Sequence, residues 1–484
     1  ASRARADGGN DLLEPDGKGG WKVTGEIPFA DSLTSFPGGY TSDGKTRYFF
    51  DSRGRDTAAL YAIDAGTGAK TLVYEDARAD IDDALDDPMT QRAQAVAVNY
   101  LKNEWKAVDP AIAPDLDTLK AIGPGSFSVT SRTLDDKTWI VAYSAAESPV
   151  TYYRYARGGT PEKLFSARPA LEGKALAAQW PQEIRSRDGL TLVSYLTLPR
   201  TADTNGDGKA DAPVPMVLLV HGGPWARDIY GYDAYHQWLA NRGYAVLAVN
   251  YRGSTGFGKA FTNAGDGEWA GKMHDDLIDA VDWAVKNGVT TREQVAIMGG
   301  SYGGYATLVG LTFTPDTFKC GVDIVGPSNL DTLLSTIPPY WAAFFEQFAR
   351  RVGDPRTAAG KQLLAERSPL TRVAAITRPL LIGQGANDPR VRQAESDQIV
   401  KAMTDKHIPV TYVLFPDEGH GFARPENSKA FNAVAEGFLA QCLGGRAQPI
   451  GGDFNGSSIT VPTGADGVPG LAEAIGAHVQ DIRR

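Results

Sequence analysis

Gly299-Gly-Ser-Tyr-Gly-Gly304 places one serine, Ser301, between glycines at the junction of an apolar run, Val295-Ala-Ile-Met298, and a helical run from Tyr302. A serine between a strand and a helix in Gly-x-Ser-x-Gly sits on a sharp turn, and glycines at 299 and 303 remove side chains that would clash there. Its hydroxyl is a weak nucleophile until a fixed base takes its proton. In this arrangement the chain order is serine, acid, histidine. Of six histidines only His407, His420 and His478 follow Ser301. His407 precedes the strand-like Val410–Phe415, at the wrong edge of a parallel sheet, and His478 lies near the chain end. His420 follows that strand, on the edge where parallel sheets carry their functional loops. Asp388, after Leu380–Gly383, is the acid that would hold its Nδ1 proton. Asp417, three residues before His420, reads instead as a solvated loop residue. The N–H of Tyr302 and that of Gly223, in His221-Gly-Gly-Pro, are candidate donors to an oxyanion. The chemistry is acyl transfer.

These residues need a parallel sheet beneath them. After Ser186-Arg-Asp-Gly189 apolar strands alternate with amphipathic helices: Met216–Val220, a helix near 232–242, Ala245–Val249, a helix near 269–287, Val295–Met298 and a helix from Tyr302. Gly321–Val325, Leu380–Gly383, a helix near 392–405, Val410–Phe415 and a helix near 427–443 follow. This reads as a sheet with helices on both faces. The first ~175 residues read as short antiparallel strands between turns, with a ~40-residue repeat at 42–74 and 127–166 that suggests propeller blades. Only three or four units fit, so an incomplete propeller lacking an N-terminal part is expected. The fold class is therefore α/β: an α/β-hydrolase domain at 176–444, preceded by an all-β propeller-like domain at 1–175 and followed by a Gly/Pro-rich tail at 445–484 with one helical run, Leu471–Ile482.

A formal charge of −9, a pI near 5.3 and no Lys/Arg-rich run argue against a nucleic-acid partner. The longest apolar stretches are strand-sized, well short of the ~20 residues of a membrane span. The N-terminus has no apolar signal region, although a leader already removed would leave the same record. Cys320 and Cys442, far apart, read as free thiols rather than a bridge. Asp203, Asn205, Asp207 and Asp211, with Gly208 at the turn, make most of a calcium loop. Val214 stands where the bidentate carboxylate should be, so an acidic hairpin is the better reading; a bound Ca2+ would be structural and fit an extracytoplasmic setting. No cofactor is required for catalysis, and homo-oligomerisation is left open.

His221-Gly-Gly-Pro-Trp, Asn250-Tyr-Arg-Gly-Ser-Thr-Gly-Phe-Gly, Gly299-Gly-Ser-Tyr-Gly-Gly-Tyr, Asn387-Asp-Pro-Arg-Val and Asp417-Glu-Gly-His-Gly-Phe together resemble the prolyl oligopeptidase family of serine peptidases. The likeness covers roughly residues 180–444 and is nearest to the acylaminoacyl-peptidase and dipeptidyl-aminopeptidase branch. It implies a hydrolase domain capped by a propeller, acting on short peptides, with Arg390 binding a substrate carbonyl. Trp225 and the stretch Tyr340-Trp341 to Phe344-Phe345 are candidates for an apolar substrate pocket, although aromatics at helical spacing are more often core. Asp82-Asp83 and Asp86-Asp87, the adjacent acids that could meet a substrate amine, read better as a solvated, disordered loop. An esterase using the same triad and an inactive binding protein on a hydrolase scaffold are the competing readings.

Overall fold

The computed structural model describes residues 1–482. The chain forms two compact units: residues 1–183 with 227–237 and 252–264, and residues 184–226, 238–251 and 265–484.

The first unit contains two four-stranded antiparallel sheets, each running in chain order. One is Phe36–Tyr40, Thr46–Asp51, Ala59–Asp64 and Lys70–Tyr74. The other is Ser126–Arg132, Thr138–Ala145, Ser148–Ala156 and Glu162–Ser166. Both coincide with the repeat read at 42–74 and 127–166. In Thr138–Ala145 every second residue is buried, so Trp139, Val141, Tyr143 and Ala145 face one core. Two three-stranded sheets were not read from sequence: Ser2–Ala4 with Asn10–Pro15 and Trp21–Ile27, and Ala84–Asp86 with Ala93–Asn99 and Asn103–Ala107. The second corrects the expectation of disorder around the acid pairs. Asp86 ends a strand, where burial pushes its carboxyl up to about 6. Asp87 accepts the N–H groups of Met89 and Thr90 in a folded turn.

The second unit is built on a sheet with β1 (Thr191–Thr197), β2 (Met216–Val220), β3 (Ala245–Val249), β4 (Val295–Gly300), β5 (Cys320–Ile324), β6 (Leu380–Gly385), β7 (Thr411–Phe415) and β8 (Thr460–Thr463). They neighbour one another in the order β1-β3-β2-β4-β5-β6-β7-β8. The pairs from β3 to β7 are parallel, whereas β1 and β8 join antiparallel. Chain order reverses at β2, which has β3 on one side and β4 on the other. That is the topological switch point at which such sheets open a crevice beyond their carboxyl ends. The principal helices are α1 (Lys272–Lys286), α2 (Tyr302–Phe313), α3 (Gln393–Asp405) and α4 (Pro425–Leu443). α2 is buried all round from Tyr302 to Thr312, which its largely apolar and glycine composition permits, its two threonines donating back to the carbonyls of Gly303 and Leu308.

Three features differ from the sequence reading. Between β5 and β6 lie the short helices Leu330–Ser335, Phe345–Arg351 and Ala358–Glu366, none of which was expected. The tail contributes β8 to the sheet edge as well as the expected helix Leu471–Ile482. Cys320 and Cys442 are not free thiols but a disulfide, joining the start of β5 to the end of α4 across 122 residues. Among the described residues no helix is long and apolar enough to cross a membrane.

Closing so long a loop constrains the unfolded chain, so Cys442→Ser should lower the unfolding free energy by about 2–4 kcal/mol. Denaturant titration of oxidised wild type against the variant measures this, and reductant should erase the difference. In the first unit Asp51 is fully buried, which opposes ionisation, but Arg53 and Lys70 bind its carboxylate and bring its pKa down to about 2. A depressed folded value stabilises the fold above the unfolded pKa. That contribution, on the order of 2 kcal/mol, should vanish as pH falls from about 4 to about 2. Asp51→Asn should flatten the acid limb of a pH–stability curve.

Candidate active site

Ser301 occupies a positive-φ backbone conformation, φ 59° and ψ −117°, between β4 and α2. Its N–H donates to Ile324 O (2.8 Å) and its carbonyl accepts the N–H of Tyr305 (3.0 Å), so the turn is tied to β5 and to the helix it starts. Glycine is required on both sides by contact with β2. A Cβ on Gly299 would lie 2.6 Å from Val220 O, and one on Gly303 only 2.0 Å from it. Beneath the turn Gly304 and Gly326 pack against Asp323, whose Oδ1 accepts the Gly326 N–H (2.8 Å). Burial pushes the Asp323 carboxyl well above the usual range.

The loop after β2 runs beside the serine: a Cβ on Gly222 would lie 3.3 Å from Ser301 Cβ. Gly223, at φ +125°, takes a backbone conformation open to glycine. The Tyr302 N–H, in the first turn of α2, has no intrahelical acceptor. Tyr251, which sequence reasoning did not single out, holds this loop. Its hydroxyl donates to His221 O (2.9 Å), and its ring stacks between His221 (4.4 Å) and Tyr302 (5.2 Å). Its only sequence signal was its place in Asn250-Tyr-Arg-Gly.

Asp388 follows β6 and His420 follows β7, so both rise from the same carboxyl edge as Ser301. His420 Nδ1 lies 2.7 Å from Asp388 Oδ2. The other Asp388 oxygen accepts the N–H groups of Arg390 (2.8 Å) and Val391 (3.0 Å), and its side chain is 0% exposed. A carboxylate so fixed makes Nδ1 the protonated nitrogen and leaves Nε2 to act as base. Asp417 is turned elsewhere: it binds Arg424, the Ser458 hydroxyl and Asn427 Nδ2 (3.0 Å). The Ser458 hydroxyl and Arg424 hold its carboxyl below the usual range. His407 lies between α3 and β7, and His478 packs near Phe454 in the tail.

Arg390 and three aromatic residues form one cluster. The guanidinium lies 5.5 Å from the Trp341 ring, Trp341 stacks on Phe348 (5.6 Å), and Phe348 meets Trp225 edge-on (5.3 Å). Tyr340 and Phe344 are exposed instead, and Phe345 carries the Arg356 guanidinium. The 203–211 segment is a self-bonded turn. Asp203 accepts the N–H groups of Asp207 and Gly208, Asn205 accepts that of Asp207, and Asp211 accepts the Thr204 hydroxyl. Among the described residues no three or more His, Cys, Asp or Glu side chains converge as a metal site.

The profile of the Prolyl oligopeptidase family matches residues 230–446. Dipeptidyl aminopeptidase BIII of Pseudoxanthomonas mexicana is 74% identical over 485 residues, covering 100% of this chain and 70% of that protein. Dipeptidyl peptidase family member 6 of Caenorhabditis elegans is 44% identical, over 92% of this chain and 63% of that one. Among solved structures, a puromycin-hydrolyzing peptidase of Mycobacterium tuberculosis has the same fold, with a TM-score of 0.73 at 22% identity over 92% of this chain and 67% of that one.

A positive φ strains any residue with a Cβ by about 1–2 kcal/mol, so Ser301→Gly should be more stable than Ser301→Ala by that margin. Thermal or denaturant unfolding of the two variants checks it; equal stability would mean that the turn relaxes.

Proposed function

Given that the chain belongs to the prolyl oligopeptidase family, we propose that it hydrolyses peptide bonds of short peptides through an acyl-enzyme on Ser301. It is a serine-type peptidase of the α/β-hydrolase fold. The observation that carries the mechanism is the 2.7 Å Asp388–His420 bond on the sheet edge that also presents Ser301. His420 Nε2 takes the Ser301 proton as Oγ attacks the substrate carbonyl, and the N–H groups of Tyr302 and Gly223 receive the oxyanion. The same nitrogen then protonates the leaving amine, and water activated by His420 releases the acyl group. Asp388 holds the tautomer and offsets the positive charge that forms on the imidazole.

Arg390 is assigned a substrate carbonyl, and Trp225, with Trp341 and Phe348 beside it, the apolar side chain next to the scissile bond. The name of the Pseudoxanthomonas relative supports dipeptide release from a free N-terminus. Dipeptidyl arylamides with a free amine should therefore be cleaved, and their N-acylated counterparts should not. Equal cleavage of both would overturn the exopeptidase part. Ser301→Ala should abolish hydrolysis and fluorophosphonate labelling, and Asp388→Asn should lower kcat by about 10⁴-fold. Ester turnover with no amide cleavage would replace the peptidase reading with the esterase one.

A further inference from the structure

His420 stands at the tip of a loop, residues 416–424, that joins β7 to α4. A histidine there must hold its ring to within a fraction of an ångström, because a misplacement of about 1 Å costs a reaction of this kind about 100-fold. The loop has its own tight turn, Gly421 N–H to Gly419 O (3.0 Å), with Gly421 at φ +108°. It has an apolar anchor in Phe422, packed on Phe415 (4.6 Å) and Phe431 (4.8 Å). Phe422 thereby meets the end of β7, and the solvent-exposed Asp417–Arg424 pair spans the two limbs at the surface, so what is still needed is a buried polar link that joins the limbs from inside.

Glu418 does that. Its side chain is buried, and both carboxylate oxygens are engaged. Oε2 accepts the Ala423 N–H (3.0 Å), while Oε1 accepts the Arg424 N–H (2.8 Å) and Asn427 Nδ2 (2.8 Å). The loop is thereby closed on itself around His420, just ahead of α4, whose positive end suits a carboxylate. The Glu418 carbonyl also accepts the Asn387 N–H (2.8 Å), one residue before Asp388, and Asn387 Nδ2 donates to Pro416 O (2.8 Å). Gly385 permits this approach, since a Cβ there would lie 2.2 Å from Gly419 O. The acid loop and the histidine loop are stitched at the point from which both residues rise.

The stitching continues beyond α4. Asn427 is fully buried, and its amide faces two ways. Nδ2 donates to Glu418 and to Asp417, while Oδ1 accepts the Ser457 hydroxyl (2.9 Å) and the Ser458 N–H (2.9 Å). The Ser458 N–H is an obligate donor, so the amide orientation is forced. Ser457 and Ser458 lead into β8, which pairs with β7 through Thr460 and Leu414. They lie past residue 446, where the family match ends.

We propose that Glu418 is a positioning residue for His420, and that Asn427 extends this brace to the segment beyond α4 through Ser457 and Ser458. The role rests on the triad assigned above. Glu418→Gln is nearly isosteric, but it sets an NH2 group against donors in either orientation and so breaks at least one contact. It should lower kcat, and the rate of fluorophosphonate labelling of Ser301, by about 10- to 100-fold, with KM within about twofold. Ser457→Ala removes two neutral hydrogen bonds at the outer end, the one to Asn427 Oδ1 and the one from the Ile459 N–H (3.1 Å), and should lower kcat about two- to fivefold at unchanged KM. Both are compared with wild type as the full chain, with melting temperature and near-ultraviolet circular dichroism recording the fold. A folded Glu418→Gln with wild-type kcat and labelling rate overturns the proposal, as does a lower melting temperature with undiminished kcat. If Glu418→Gln does not fold, Ser457→Ala decides by the same criterion. Activity surviving in Ser301→Ala would instead overturn the triad itself.

Discussion

The contact on which the site depends is the close approach of two backbones, Gly303 at the start of α2 and Val220 O at the end of β2. With no Cβ at 299 or 303, the helix that begins at the serine can sit directly on the strand next to the one that delivers it. This proximity has two consequences. It forces Ser301 into a conformation that exposes its side chain at the sheet edge. It also brings the loop after β2 alongside the serine, so that one packing decision places both Ser301 and the loop that carries Gly223. Tyr251, stacked between His221 and Tyr302, fills the space beside that junction and ties the loop by its hydroxyl.

Two carboxyl groups on neighbouring strand ends show how the surroundings divide the work. Asp388, after β6, accepts two backbone N–H groups on one oxygen and meets the His420 ring with the other. Asp323, in β5, receives a single N–H, and burial dominates its behaviour. Asp323 is a packing element beneath the elbow, wedged against Gly304 and Gly326.

The sequence makes the site legible because the chemistry is encoded in short local patterns. Ser301, Asp388 and His420 each follow an apolar strand, and a parallel sheet fixes which end of a strand a loop occupies. The alternation that revealed the blades at 42–74 and 127–166 is equally local. What escaped depends on contacts between distant segments. The Cys320–Cys442 bridge spans 122 residues, and nothing near either cysteine announces its partner. β8 is four residues long with a proline, and only its pairing with β7 makes it a strand. The helices between β5 and β6 are short and interrupted by prolines, so no period had room to appear. At Asp203–Asp211 the sequence favoured an acidic hairpin over a metal loop, and the segment does bond to itself, because acidic side chains spaced like metal ligands also serve as acceptors for their own turn.

The segment between β5 and β6, whose helices were not expected, carries Trp341 and Phe348, the aromatic residues beside Arg390. Glu395, in the first turn of α3, is buried and accepts the N–H groups of Ser328 (3.0 Å) and Asn329 (2.9 Å), the Thr332 hydroxyl and Gln398 Nε2 (2.9 Å). Burial raises its carboxyl above the usual range despite these donors. α3 is also the helix that follows the Asp388 loop. The start of the segment is thus fastened to the helix that follows the Asp388 loop, while from Pro339 onward it is held by aromatic contacts and, past Phe348, by the buried Arg351, which pairs with Asp266 (2.7 Å). Loss of the Glu395 carboxylate would release the start of this segment, and loss of the Arg351 guanidinium its end, so the two ends are fastened independently.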